Sequence, residues 1–223
     1  MPRRHLPLVD QEYYHIFNRG VNKRSLFKSR FDYTRFLSIT RFYSFTNTPV
    51  KFSRLIQLSA PEQNRYWNKL EQHPKLANIL AFCYMPNHYH FILQQISPNG
   101  ITKFISNLQN SYARYFNTKY DRIGPLWQGQ FKAIMVESSN QLLHLSRYIH
   151  LNPYTNSVVK NPEDLENYPW SSLLEYISST IKPICQMSTI MSYFKNSQAY
   201  LDFVLNTAEY QKELALLKHL AID

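Results

Sequence analysis

Four short segments rich in apolar and aromatic residues are bounded by turn-forming residues. They cover residues 12–19, 76–85, 88–94 and 130–136. Residues 130–136 alternate between apolar and polar side chains, as in a half-buried β-strand, and residues 76–85 form the uninterrupted apolar run of a buried strand. The dipeptide Pro86-Asn87 separates the second segment from the third. The sequence therefore predicts four strands, with the middle two joined by a tight turn.

Three other segments place apolar residues at the three- and four-residue spacing of an amphipathic helix. The first two are residues 31–44 and 101–117. Before the third, Ser138 precedes Gln141 by three residues, which is the arrangement of a capping box at a helix start. The pattern predicts that this third helix ends at Pro153.

The predicted order of elements is β-α-β-β-α-β-α, which is typical of an α+β fold with a ferredoxin-like antiparallel sheet and one added helix. Residues 46–75 are polar and contain three prolines, so we interpret them as an insertion with a short helix near residues 62–71. Residues 1–155 are expected to form one domain. Residues 156–223 are expected to be a helical extension packed on that domain, with an amphipathic stretch over residues 199–220.

Two histidines and two helical side chains are the candidates for chemistry. His88 and His90 project from the same face of a strand, because side chains alternate along it. Two adjacent imidazoles suit one metal ion, although a histidine pair of this kind is also common as a structural feature. Tyr148 and Asn152 lie one helical turn apart, at the edge of the apolar stripe. Asn152 offers a neutral oxygen ligand and Tyr148 a hydroxyl nucleophile, or both are ordinary residues of the helix edge.

The distribution of charge along the chain indicates which class of molecule the protein binds. The chain of 223 residues carries a net charge of +10, but residues 1–160 hold 21 basic and 7 acidic groups, whereas residues 161–223 hold 4 and 8. A basic region of this kind indicates a polyanionic partner, most simply nucleic acid, with a merely soluble basic surface as the alternative.

Compartment and membrane signals are few. The longest uncharged apolar run is about half of what a bilayer crossing requires. Cys83 lies in an apolar segment and is predicted to be a packed thiol, and Cys185 is too distant in sequence to form a zinc knuckle with it. These observations predict a protein of a reduced cytoplasm without a membrane partner. Together with the nucleic-acid partner that the charge indicates, they predict association with the nucleoid.

Several stretches, in order and spacing, resemble the single-tyrosine transposases of the histidine–hydrophobic–histidine (HUH) type. The central one is Met85-Pro86-Asn87-His88-Tyr89-His90-Phe91-Ile92-Leu93. The others are Tyr14-His15-Ile16-Phe17-Asn18-Arg19-Gly20, Ser111-Tyr112-Ala113-Arg114-Tyr115-Phe116-Asn117, Gly124-Pro125-Leu126-Trp127-Gln128-Gly129-Gln130-Phe131 and Tyr148-Ile149-His150-Leu151-Asn152-Pro153. A further motif, Tyr168-Pro169-Trp170-Ser171-Ser172, resembles one seen in the REP-associated tyrosine transposase branch. The resemblance spans roughly residues 12–175.

The resemblance implies an enzyme that cuts and rejoins single-stranded DNA near a hairpin or palindrome without a nucleotide cofactor. It implies that His88, His90 and Asn152 bind Mg²⁺ or Mn²⁺, and that Tyr148 forms a covalent 5′-phosphotyrosine intermediate. The ligand types alone would also accept zinc. Two positions depart from the family pattern, since Tyr89 replaces a small aliphatic residue and Gln130 stands where many relatives have arginine.

Candidate contacts to the DNA backbone are seven basic residues of the same region. They are Arg19, Lys23, Arg24, Arg114, Lys119, Arg122 and Lys132. The sequence leaves open whether the protein acts as a monomer or a homodimer. Three other functions remain: a domesticated DNA-binding protein without turnover, an HUH replication initiator or relaxase, and an RNA-binding ferredoxin-like module. The last is the weakest, because the strands carry no aromatic RNA-binding signature.

Overall fold

The computed structural model describes residues 8–179, 183–209 and 211–212, and its strands form a four-stranded antiparallel sheet. The strands are β1 (Tyr13–Arg19), β2 (Ala77–Met85), β3 (His88–Gln95) and β4 (Lys132–Met135), in the spatial order β2-β3-β1-β4. This is the order of a ferredoxin-like sheet, and the predicted α+β fold is confirmed. Strand β4 is shorter than predicted, because its pairing with β1 begins only at Lys132, opposite Phe17.

The helices follow the predicted order with small differences at their ends. They are α1 (Arg30–Tyr43), α2 (Phe52–Leu55), α3 (Ala60–Leu70), α4 (Gly100–Lys119), α5 (Ser139–Thr155), α6 (Leu173–Ile177), α7 (Ser188–Met191) and α8 (Ser197–Leu205). Helix α5 continues two residues past the predicted end at Pro153. A proline in the last turn removes one donor without breaking the turn, and the Asn156 N–H still donates to the Asn152 carbonyl at 3.1 Å.

The sheet has a hydrophobic core on each face. Helices α1 and α4 cover one face, where Tyr89 and Phe91 are fully buried. Helices α5, α6 and α8 cover the other face, where Ile92 packs with residues of α5 and of the C-terminal region. Tyr89, the departure from the family pattern, therefore points away from the histidine face, and its hydroxyl accepts a hydrogen bond from Gln109 at 2.8 Å.

The C-terminal region closes the outer edge of β2. The Tyr84 N–H donates to the Trp170 carbonyl at 2.8 Å, and the Ser172 N–H donates to the Phe82 carbonyl at 2.9 Å. Strand β2 is the last strand of the sheet on this side, so its outward backbone groups would otherwise lack partners. The Tyr-Pro-Trp-Ser-Ser motif thus serves as backbone cover for β2.

A buried histidine ties α5 to this cover. His150 is fully buried, with Nε2 at 2.8 Å from the Ser172 hydroxyl and Nδ1 at 2.7 Å from the Tyr200 hydroxyl of α8. Burial lowers the pKa of His150 to about 3, so the ring is neutral at physiological pH. One side chain therefore joins α5, α8 and the covering segment.

Three other predictions from the sequence can be compared with the structure. The predicted amphipathic stretch over residues 199–220 corresponds in part to α8, and residues 210 and 213–220 lie outside the described residues. Cys83 is a buried free thiol, as predicted, and burial raises its pKa. Within the described ranges, no helix combines the length and the apolar character needed to cross a bilayer.

A buried carboxylate joins the start of α1 to the end of α4. Asp32 is fully buried and accepts hydrogen bonds from five donors. These are the Lys28 and Ser29 N–H groups, the Lys119 ammonium at 2.6 Å and the hydroxyls of Tyr115 and Tyr120. Burial by itself raises the pKa of this carboxyl, but the donors outweigh it and hold the pKa at about 2.

We expect Asp32→Ala to lower the free energy of unfolding at pH 7 by about 3 kcal/mol, because it leaves several buried donors without an acceptor. The folded-state pKa lies below that of an unfolded aspartate, so this stabilisation is complete above about pH 4 and is lost as the pH falls toward 2. Urea unfolding at pH 7 and pH 3 measures both effects. Asp202→Ala, which removes an exposed carboxylate of α8, is the control, and an equal loss in both variants would contradict the assignment.

Candidate active site

The register of the sheet brings a third histidine beside the predicted pair. Phe17 of β1 lies opposite His90 of β3, and Arg19 lies opposite His88. Directly opposite residues share a face, so His15, two residues before Phe17, lies on the same face as His88 and His90. The rings of His88 and His90 are 5.0 Å apart between centroids. The predicted placement of these two side chains on one face is therefore what the structure has.

Helix α5 lies on this face and brings Tyr148 to the histidines. The Ser138 hydroxyl accepts a hydrogen bond from the Gln141 N–H at 3.2 Å and caps the helix start. Tyr148 lies between two and three turns after the helix start. The centroid of its ring is 5.6 Å from that of His90 and 6.1 Å from that of His15, and the ring is edge-on to both.

Tyr148 is accessible on one side and enclosed on the other. Of its surface, 42 % is exposed, although most of the large apolar and aromatic residues of the chain are buried. The enclosed part raises the pKa of the phenol, an effect that the Asn152 amide partly offsets. The hydroxyl is therefore protonated at neutral pH, and its conversion to a nucleophile requires loss of a proton.

Asn152 lies one turn further along α5 and is fully buried beside His88. Its Oδ1 is 3.2 Å from His88 Nε2. The Asn156 amide nitrogen donates to both the Asn152 main-chain carbonyl, at 3.0 Å, and Oδ1, at 3.1 Å. Because a main-chain carbonyl can only accept, Asn156 must present its NH₂ group, and this fixes Asn152 with Oδ1 toward His88.

Asn87 fixes the tautomer of His88 in the same way. Its amide nitrogen lies 3.4 Å from the Lys23 carbonyl, and its Oδ1 lies 2.6 Å from His88 Nδ1. The proton of the neutral ring is therefore on Nδ1, and Nε2 carries a lone pair. Burial lowers the pKa of His88; the Asn152 amide partly offsets this and the Arg19 charge adds to it, which keeps the ring neutral.

Two electron-pair donors therefore face each other at 3.2 Å without a proton between them, which is the arrangement that a cation stabilises. Asn152 Nδ2 is in addition a buried amide nitrogen without a hydrogen-bond partner among the described residues. An N–H donor does not bind a cation, so the metal assignment rests on the two facing acceptor atoms. The pair His88 Nε2 and Asn152 Oδ1 thus fits a divalent metal ion.

His90 supplies the next donor, and His15 orients it. His15 Nε2 is 2.9 Å from His90 Nδ1, which leaves His90 Nε2 available to a ligand. Burial holds the pKa of His90 well below its usual range, and the charges of His88 and His15 act in the same direction. Burial also lowers the pKa of His15 to about 4. No group of three or more His, Cys, Asp and Glu side chains suited to a metal occurs in the described ranges, and the set found here includes an amide instead.

The seven basic residues predicted to contact DNA lie in several different parts of the structure. Arg19 and Lys132 flank the histidine face, where the Arg19 side chain donates to Gln128 and the Lys132 ammonium lies 5.9 Å from the Phe17 ring. Lys23 and Arg24 lie in the turn after β1, and Arg122 is close enough to Arg24 for their charges to interact. Arg114 lies exposed on the outer side of α4, and Lys119 forms the ion pair with Asp32. Two of the seven are therefore near the histidines.

Four residues of this site were not singled out from the sequence. His15, Asn87 and Asn156 orient the groups described above, and Phe17 forms part of the floor beside His90. His15 and Phe17 could have been found from the strand register, since they alternate in phase with the histidines once β1 is paired with β3. The two asparagines carry no such signal, because their roles depend on side-chain orientation.

Comparison with known proteins agrees with this geometry. The family model described as "Transposase IS200 like" matches residues 53–152, a range that contains both histidines, Tyr148 and Asn152. No curated protein matches the sequence.

Among solved structures, a REP-associated tyrosine transposase bound to a REP hairpin aligns with a TM-score of 0.53 and 15 % identity, over 82 % of this chain and 90 % of that one. A transposase-like protein of Deinococcus radiodurans aligns with a TM-score of 0.35 and 15 % identity, over 67 % and 95 %. The first likeness shows a shared fold. Residues 53–152, the segment that holds the histidines and the tyrosine, match the model of the IS200-like transposase family, as the resemblance of the motifs indicated.

Proposed function

We propose that the protein is a metal-dependent endonuclease and strand-transferase for single-stranded DNA, acting near a hairpin or palindrome. The observation that carries the proposal is the meeting of Tyr148 with the two histidines and Asn152 on one face of the sheet. A DNA-binding protein without turnover has no need of a phenol beside a set of metal-ligand donors. The hairpin as substrate is supported by the shared fold with a transposase whose structure holds a REP hairpin.

The first half of the reaction follows from the placement of Tyr148. Its oxygen attacks the scissile phosphorus, the bond from phosphorus to the 3′ oxygen breaks, and the 5′ phosphate remains attached to the tyrosine. The phenol proton leaves to solvent, and the departing 3′ oxygen takes up a proton. A divalent ion held by His88, His90 and Asn152 supplies Lewis-acid polarisation of the phosphate when it is bound.

The second half reverses the first with a different strand. A 3′ hydroxyl attacks the phosphotyrosine, a new phosphodiester forms, and Tyr148 recovers its proton. The number of phosphodiester-type bonds is the same before and after, so no nucleotide cofactor is required. The neutral state of all three histidines keeps their lone pairs available, and the edge-on packing of His15 and His90 restricts the Tyr148 ring.

The site is proposed to be complete within one chain. Tyr148 and the histidines meet without a second copy, and His150 anchors the same helix to α8 and to the cover of β2. Exchange of α5 between two subunits would require this buried contact to open. The arrangement therefore favours an active site completed in cis, which both a monomer and a homodimer can have.

Incubation of the protein with labelled single-stranded hairpin oligonucleotides tests the proposal. We expect a covalent protein–DNA adduct with Mg²⁺ or Mn²⁺, none with a chelator, and a free 3′ hydroxyl on the released fragment. Addition of a second strand with a 3′ hydroxyl should consume the adduct and yield a joined product. Tight hairpin binding with no adduct under any of these conditions would instead indicate a domesticated DNA-binding protein.

A further inference from the structure

One part of the histidine face is open beside the proposed reaction centre. Helix α5 packs mainly on β2 and β3, whereas β1 and β4 form the other half of this face. In the pairing of β1 with β4, Ile134 lies opposite His15, and Lys132 lies opposite Phe17. Directly opposite residues share a face, so these side chains lie on the same side of the sheet as the histidines. Phe17, Lys132 and Ile134 together form what we call the β1–β4 platform.

Two members of the platform are apolar side chains that the fold does not use for core packing. Phe17 is partly exposed, and Ile134 is 52 % exposed. Among the described residues, neither belongs to the hydrophobic core on either face of the sheet. A ligand that covered this surface would remove apolar area from water, which is favourable.

The Phe17 ring is held in position by its neighbours. Its centroid is 4.7 Å from that of His15 and 5.7 Å from that of His90, and each imidazole is tilted by 32° to it. The Lys132 ammonium lies 5.9 Å from the same centroid, near the outer limit of a cation–π contact. An aromatic ring is thus fixed directly beside His90, one of the proposed metal ligands.

The platform adjoins the proposed nucleophile as well. The rings of Tyr148 and Phe17 lie 5.6 Å and 5.7 Å from the ring of His90, measured between centroids. A phosphate that reaches the Tyr148 hydroxyl therefore brings the nucleotide next to it within reach of Phe17.

The chemistry of the platform suits an unpaired nucleotide. Proteins that bind single strands stack bases on aromatic rings and hold the backbone with cations. Phe17 supplies a ring without hydrogen-bonding groups, and Ile134 extends the apolar surface beside it. The flexible side chain of Lys132 allows its ammonium to move from the ring to a phosphate. A nucleotide inside a duplex is already stacked on its neighbours, so the ring suits an unpaired one.

We propose that Phe17 stacks on the base of an unpaired nucleotide next to the scissile phosphate, while Lys132 contacts an adjoining phosphate. Phe17 thus holds the strand so that the phosphorus is presented to Tyr148. The inference rests on the proposed function for the identity of the strand as DNA, but the stacking contact itself requires no cleavage.

Removal of a base combined with removal of the ring tests the contact. The DNA is a hairpin oligonucleotide with a single-stranded flank, in which an abasic site replaces one flank nucleotide at a time. Fluorescence anisotropy with Mg²⁺ present measures its affinity for Tyr148→Phe and for Tyr148→Phe with Phe17→Leu, since leucine is apolar but has no ring. Tyr148→Phe with Phe31→Leu is the matched control, because Phe31 is an exposed phenylalanine at the start of α1.

With Phe17 in place, we expect one abasic position to lower the affinity by at least about fivefold, the lower end of what stacking on an aromatic side chain contributes per base. With Phe17→Leu, the same abasic site should cause no further loss, because both changes remove one contact. Abasic sites that cost the same affinity with and without the Phe17 ring, at every position, would overturn the proposal. A Phe31→Leu variant that behaves like Phe17→Leu would overturn it too.

Lys132→Ala in the Tyr148→Phe background tests the phosphate contact. We expect the slope of log affinity against log salt to become shallower by about 0.7, the contribution of one phosphate contact on a single strand. Lys160→Ala, which removes an exposed cation of the C-terminal region, is the control. An unchanged slope in Lys132→Ala, or an equal change in both variants, would overturn the role of Lys132.

Cleavage by the wild type locates the stacked nucleotide. The released 3′ hydroxyl identifies the scissile phosphate, and the nucleotide whose effect depends on Phe17 should adjoin it. Dependence on Phe17 at a more distant nucleotide would overturn the proposal. Absence of both adduct and cleavage in the wild type, with the dependence on Phe17 intact, would instead refute the endonuclease while supporting the stacking of an unpaired base on Phe17.

Discussion

Tyr148→Phe is expected to abolish the covalent protein–DNA adduct and to reduce strand cleavage by more than about a thousandfold, because it removes the attacking oxygen itself. The change deletes one atom from a side chain that is 42 % exposed, and its ring contacts with His15 and His90 remain possible. The fold and the affinity for hairpin DNA should therefore stay close to those of the wild type.

Denaturing electrophoresis of the reaction with a 5′- or 3′-labelled hairpin measures the adduct, and anisotropy measures binding. Tyr193→Phe is the matched control, since Tyr193 is exposed to a similar degree and lies in the C-terminal region. An adduct that persists in Tyr148→Phe would transfer the nucleophile to another tyrosine. Simultaneous loss of adduct and of hairpin binding would indicate that the phenol contributes to binding rather than to attack.

His88→Ala is expected to weaken Mn²⁺ binding by more than about a hundredfold, since loss of a ligand should exceed the effect of losing an outer contact. It removes the Nε2 lone pair that faces Asn152 Oδ1 at 3.2 Å. At a Mn²⁺ concentration that saturates the wild type, His88→Ala should cleave less DNA because it binds less metal. Its affinity for hairpin DNA in the presence of a chelator should be unchanged.

Calorimetry or electron paramagnetic resonance measures the affinity for Mn²⁺ independently of activity. The control is His144→Ala, because His144 is an exposed histidine of the same helix as Tyr148. Undiminished Mn²⁺ binding in His88→Ala would place the ion elsewhere. An equal loss in His144→Ala would show that the measurement reports nonspecific histidine binding.

Much of the architecture is encoded in local patterns, and particular residues show why. The apolar run before Pro86 and the alternation after it predict β2 and β3, because strand formation here depends on side chains of neighbouring residues. The one-turn spacing of Tyr148 and Asn152 places both on one side of α5 for the same reason. The family resemblance assigned their roles, which spacing alone left open.

Other parts of the site depend on contacts between residues distant in sequence. His15 is 75 positions from His90, yet their ring nitrogens are 2.9 Å apart, because β1 pairs with β3 in one specific register. Asn87 and Asn156 act through the orientation of their amides, which no spacing rule reveals. Lys119 was predicted as a DNA contact from its charge, but the structure places it in an ion pair with Asp32.

Because the segment around Trp170 covers β2, it limits how far the chain can be truncated from its C-terminal end. A chain that stopped before this segment would retain every side chain of the proposed reaction, from His15 to Asn152. It would nevertheless leave the Tyr84 N–H and the Phe82 carbonyl of an apolar edge strand without partners, open to pairing with another molecule. Loss of the C-terminal quarter is therefore expected to promote self-association through β2, even though the side chains of the proposed reaction remain in the chain.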